Sequence, residues 1–161
     1  MRTAPVTTTR YAGIYPGRAD QVSLVRRAVA RHLAGCPAAD DMILIVSELA
    51  SNAVMHSASQ RQFFTVRAEV YPDHVRVEVE DLGGSWRGRH CDGRPHGLDV
   101  VEAFTGPDGW GVETTTDGGR VVWARLDLAA GERASSSPPH RGLHYGHHEE
   151  RPDDRSELLW R

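Results

Sequence analysis

The chain has 161 residues, 39% of them hydrophobic, which is enough for one ordinary core and too little for two. Its formal net charge of −3 excludes the global basic excess that draws a protein to nucleic acid or to an acidic membrane surface, so direct contact with either is not expected. The longest mainly apolar stretch, Met42 to Val46, is far short of the roughly 20 residues that cross a bilayer, and the first residues lack the charged-then-apolar order of a signal peptide, so the expected location is the cytoplasm.

Residues 1–17 are Thr-rich and contain Pro5 and Pro16, which suits an extended lead-in able to add an edge strand around Thr8 to Tyr15. The folded domain is expected over residues 18–128. From Arg18 to Ala34, Val22, Val25, Val29 and Leu33 recur at helical spacing, and Gly35 then Pro37 supply a left-handed stop and a breaker. Asp40 and Asp41 are expected to cap a second helix that runs through His56 and turns Met42, Ile45, Leu49 and Ala53 toward a core. Cys36 and Cys91 stand far apart, outside any Cys-x-x-Cys spacing, so neither a zinc site nor a disulfide framework is indicated and both are expected to be reduced.

After Ser57 to Gln62 the period becomes two. Val66, Ala68 and Val70 alternate with polar neighbours, and after Pro72-Asp73 so do Val75, Val77 and Val79, which predicts two antiparallel strands joined by a tight turn. Leu82 to Pro95 holds four glycines and no apolar period, the pattern of a long loop or lid. Leu98, Val101 and Phe104 mark a short third helix, and Val112 to Thr116 with Val121 to Leu126 flank Asp117-Gly118-Gly119 as a closing hairpin. The expected architecture is α+β: a two-layer sandwich with a mixed or antiparallel sheet and helices on one face. Residues 129–161 shift to Ser, Pro, His and alternating charge, a composition that predicts a disordered tail. Its His144, His147 and His148 read as solvated rather than as a prearranged metal site.

Chemistry concentrates in three places. Glu48, Asn52 and His56 recur at intervals of four along the second helix; this stripe fits either a solvated face or partners that offset its desolvation, such as a metal carrying phosphate. Asp81-Leu82-Gly83-Gly84 ends a valine-rich strand, where a carboxylate can accept a hydrogen bond from an exocyclic amine and glycine lets the backbone approach a ligand, although the same residues make ordinary turns. Gly93-Arg94-Pro95-His96-Gly97-Leu98 opens a helix and can present free N–H groups to a phosphate.

In this order the three segments resemble the GHKL ATPase superfamily, which includes histidine-kinase catalytic domains, and more narrowly its bacterial anti-sigma-factor serine kinases. Glu48 through Ser57 is similar to the family's N box, Asp81-Leu82-Gly83 to its adenine-reading box, and His96 through Val101 to its second glycine box with the following helix. Trp110 to Glu113 and Gly118 to Trp123 resemble its last two strands, so the likeness covers roughly Arg18 to Leu126. It implies a Bergerat-type fold that holds ATP and Mg²⁺ between the second and third helices and the lid. By that resemblance Asn52 binds Mg²⁺, Glu48 orients or deprotonates the attacking hydroxyl, and Asp81 reads the adenine amine. Gly83, Gly93, His96, Gly97 and Leu98 then line the nucleotide site, and His56 either touches the phosphates or only ends the stripe.

One departure stands out: the glycine usual two residues before Gly97 is here Pro95, which lacks an N–H and fixes φ. The implied activity is transfer of the ATP γ-phosphate to a Ser or Thr of an antagonist protein, with sequestration of a sigma factor, and a homodimer is compatible with it. The alternative suggested by Pro95 is a module that holds nucleotide and a partner without phosphoryl transfer. A plain α+β domain that takes no nucleotide is the third reading.

Overall fold

Alternating valines build most of the sheet. In the computed structural model, which describes residues 9–60, 62–84 and 97–129, β1 (Thr9–Pro16), β2 (Phe63–Val70), β3 (His74–Asp81), β4 (Trp110–Thr114) and β5 (Arg120–Asp127) pair in the order β1-β2-β3-β5-β4. The pairing is antiparallel throughout. The inward parity of the strands, with Val66, Ala68, Val75, Val77, Val79, Val122 and Ala124, is buried beneath three helices. These are α1 (Gln21–His32), α2 (Ala39–His56) and α3 (Gly97–Thr105). Val25, Val29, Met42, Ile45, Leu49, Ala53 and Val101 complete the core from the helical side. Each such side chain contributes about 1.5–3 kcal/mol of transfer free energy, so this layer interface holds the two-layer α+β sandwich together.

Local chemistry sets the helix ends. Gly35, at φ 81°, takes the left-handed conformation just after α1 has ended at Leu33. Asp40 and Asp41 do not cap α2. The residue preceding the helix is Ala38, no side chain caps it, and the two aspartates lie inside the first turn, where their charge complements the positive end of the helix dipole. On β1, Gly13 leaves room for Tyr11 and Tyr15, which share a hydroxyl–hydroxyl hydrogen bond, and the Tyr15 ring stacks on Phe64 at 5.7 Å. Burial first, and the Tyr11 bond second, push the Tyr15 phenol well above its ordinary value.

The other face of the sheet carries charge. Arg67 meets Glu80 at 2.6 Å, Arg10 meets Glu69 at 2.9 Å, and Arg76 reaches Glu78 at 2.8 Å while lying 4.5 Å over the Trp123 ring. Exposed pairs of this kind add about 0–1 kcal/mol each, so they keep the face hydrated more than they stabilise the fold. Among the described residues no helix is long and apolar enough to cross a membrane. The lead-in before Thr9, the lid beyond Gly84 and the tail beyond Ala129 lie outside the described residues.

Candidate functional site

α2 is apolar on most of its surface because it packs on the sheet and on both other helices. Glu48 and Asn52 break that pattern on one flank, and both are half-buried. Among the described residues neither side chain has a hydrogen-bond or ion-pair partner, so a carboxylate and an amide stand partly desolvated at the start of α3.

Gly97, the first residue of α3, closes against them. A Cβ there would lie 2.7 Å from Glu48 Oε2 and 3.6 Å from Asn52 Nδ2. Glycine therefore lets the amino end of α3 bring its backbone beside both polar groups, an arrangement suited to an anion held by N–H donors. Leu98 is buried in the core, so its side chain anchors α3 and only its backbone faces the site end of the helix. His56 is exposed on the last turn of α2. Each step of four residues rotates a side chain by about 40° around a helix, so His56 lies about 80° away from the direction of Glu48. Gly93, His96 and Pro95 lie outside the described residues.

At the end of β3, Asp81 is 4% exposed. Its Oδ1 accepts the Gly83 N–H at 2.7 Å, and its Oδ2 accepts from Arg120 Nε at 3.2 Å and Nη2 at 2.8 Å. Arg120 is its cross-strand neighbour on β5 and is 7% exposed. The turn after Asp81 is held from both sides. Gly83, at φ 73°, packs against the Gly118 carbonyl so closely that a Cβ has no room. From the segment that follows α2 come two bonds: the Leu82 N–H donates to Ser59 Oγ at 2.9 Å, and the Ala58 N–H donates to the Gly83 carbonyl at 2.7 Å. Ser59 is itself fully buried, its N–H bonded to Ser57 Oγ at 2.9 Å.

A cleft of about 340 Å³ opens at this end of the sheet, with Gly83, Gly84, Val112, Thr114, Gly118, Gly119 and Arg120 among its lining residues. Four glycines in one wall expose backbone to whatever occupies it. No group of three or more His, Cys, Asp or Glu that could hold a metal occurs among the described residues. The donors present nevertheless suit Mg²⁺, which prefers oxygen, takes one or two protein ligands and completes its shell with substrate phosphate. The Glu48 carboxylate provides such an oxygen beside the gap that Gly97 leaves, and the Asn52 amide, whose Nδ2 stands toward Gly97, carries another on the same group.

The structure thus brings together Glu48, Asn52 and Gly97, and separately Asp81 and Gly83, while leaving His56 at the rim. Arg120 and Ser59 were not foreseen from the sequence. Arg120 had a readable sign, since in Arg120-Val121-Val122-Trp123-Ala124 the charge falls on the inward parity and requires a buried partner. Ser59, in a polar link, had none.

A family model described as histidine kinase-like ATPase domain matches residues 15–132. No curated protein matches the chain.

Proposed function

The chain belongs to the histidine kinase-like ATPase domain family, and from that premise we propose that it is a Mg²⁺-dependent serine/threonine protein kinase acting in the cytoplasm on an antagonist protein, and that it holds a sigma factor through the same regulatory circuit. The observation that carries the proposal is the convergence of half-buried Glu48 and Asn52 on Gly97.

In this reading the acceptor hydroxyl oxygen attacks the γ-phosphorus of ATP, the bond from that phosphorus to the bridging oxygen of ADP breaks, and the hydroxyl proton passes to the Glu48 carboxylate. Asn52 is the side chain that would hold Mg²⁺, which supplies charge neutralisation to the phosphates when bound. The backbone at Gly97 offers N–H donors to the phosphate chain, and Asp81, at the end of β3, accepts from the adenine amine. Phosphoryl transfer depends mostly on positioning and on neutralising charge, so this small set of groups is chemically sufficient.

The test is label transfer from Mg-ATP to candidate antagonist proteins bearing an acceptor Ser, with Glu48→Gln as the control. Transfer that needs Glu48 supports the kinase; bound ATP with no transfer across the set removes it. Pro95 favours one other reading, a module that holds nucleotide and partner without turnover. Under that reading Glu48→Ala regulates the partner as well as the wild type does.

A further inference from the structure

Three hydrogen bonds run in one direction from the turn after β3 to the last turn of α2. The Leu82 N–H donates to Ser59 Oγ at 2.9 Å, the Ser59 N–H to Ser57 Oγ at 2.9 Å, and the Ser57 hydroxyl to the Ala53 carbonyl at 2.6 Å. The series therefore starts one residue after Asp81 and ends one residue after Asn52. Ser57 ends α2 with φ −131° and ψ 170°, an extended conformation that takes the chain out of the helix. Its hydroxyl donates to one partner and accepts from another, so the two bonds polarise and strengthen each other. Helix capping accounts for the bond to Ala53, because the last carbonyls of any helix lack partners. It does not account for the bonds beyond, which leave the helix and reach a turn 23 residues on.

The segment that carries the two serines is confined by its neighbours. Gly17, just after β1, lies so close to the Ser59 carbonyl that a Cβ there has no room, and its N–H donates to the Gln62 carbonyl at 3.1 Å. A Cβ on Gly84 would lie 3.3 Å from the Ala58 nitrogen. Gly83 and Gly84 both line the cleft of about 340 Å³, so the serines tie one wall of it to the helix that carries Glu48 and Asn52.

We propose that Ser57 and Ser59 are positioning residues, which fix the spacing between the metal-and-phosphate end of the nucleotide site, on α2, and its base end, at the turn after β3. This rests on the Mg-ATP reading of that site. A ligand that must satisfy both ends at once gains from having their spacing set before it arrives. Without the Ser57 hydroxyl, Asp81 and Asn52 each stay on their own element, but nothing in the series holds the two elements in step. What fails is joint engagement of the ligand, and neither end by itself.

The experiment is a calorimetric titration of the full chain with ATP, once with Mg²⁺ and once with EDTA in its place, on the wild type, Ser57→Ala, Ser57→Cys and Ser57→Thr. A melting curve checks that each variant is folded. In the wild type Mg²⁺ should tighten ATP binding about tenfold or more, since metal and base then act together. In Ser57→Ala that factor should shrink to about threefold or less, while binding of metal-free ATP stays within about threefold of the wild type. A thiol is a weak donor and a weak acceptor, so Ser57→Cys should behave as alanine does and replaces it should alanine not fold. Threonine keeps the hydroxyl and suits extended backbone, so Ser57→Thr should restore the Mg²⁺ factor. A folded alanine or cysteine variant with the wild-type Mg²⁺ factor overturns the inference and leaves ATP binding intact. So does an equal loss with and without Mg²⁺, which would make the serines supports of the base end alone. Absence of ATP binding to the wild type, or binding that Mg²⁺ does not tighten, removes the Mg-ATP reading and this inference with it.

Discussion

Gly97 and Glu48 touch across the α2–α3 interface: a Cβ on the glycine would stand 2.7 Å from Glu48 Oε2. The carboxylate is therefore wedged against the amino end of α3, and its direction depends on the neighbour having no side chain.

The first prediction follows from that contact. Gly97→Ala displaces the far end of a flexible side chain, so the fold should tolerate it, with a stability change under about 1 kcal/mol by chemical denaturation. The carboxylate should lose its position, and phosphoryl transfer should fall by about tenfold or more. Unchanged transfer in a folded Gly97→Ala protein would show that Glu48 acts elsewhere.

Asp81 and Arg120 give the second. Mg-ATP should bind the wild type in the low- to mid-micromolar range, about 7 kcal/mol. Asp81→Asn should abolish or greatly weaken that binding in the same calorimeter. Arg120→Met should cost about 3–5 kcal/mol of unfolding free energy in a urea titration, because it strands a carboxylate that is 4% exposed. A melt of Arg120→Met that matches the wild type would mean that the pair contributes nothing to folding.

Ser59 supplies a third. Its hydroxyl accepts the Leu82 N–H at 2.9 Å and so ties the segment after α2 to the turn that follows Asp81. Ser59→Ala should cost about 1–3 kcal/mol by leaving that N–H unsatisfied, and it should raise KM for ATP more than it lowers kcat. A change in kcat alone would place Ser59 in the chemical step instead.

The fourth concerns alkaline pH. Burial and the Tyr11 hydroxyl raise the Tyr15 phenol above its ordinary value of 10. A group whose folded pKa is raised contributes stability that is fully present below its unfolded pKa and is lost as pH rises toward the folded one. Unfolding free energy should therefore begin to fall above about pH 10, and Tyr15→Phe should flatten that decline. An equal decline in the variant would assign it to other groups.

Much of the architecture is legible in the sequence, because both layers rest on periodicity. The valines at 66, 75, 77 and 79 alternate, while Met42, Ile45, Leu49 and Ala53 keep to one side of a helix, and all of them are buried. The Glu48, Asn52 and Gly97 grouping came from ordered motifs rather than from spacing. Periodicity says nothing of partners, however, and three details escaped it for that reason. The Asp81–Arg120 pair spans 39 residues and exists only once the β3–β5 register is set. Ser59 works through its hydroxyl from a segment with no pattern. Asp40 and Asp41 are good capping types, but α2 begins at Ala39, two residues too early for Asp40 and three for Asp41 to cap it.

The uncovered face of the sheet has a consequence of its own. Arg67, Glu69, Arg76, Glu78 and Glu80 interleave opposite signs across two adjacent strands, so a second flat sheet laid on them would have to strip water from every pair at once. Among the described residues nothing covers that face, and its charge pattern still lets it resist stacking into layers, with Ile14 and Phe63 near one rim as large apolar exceptions.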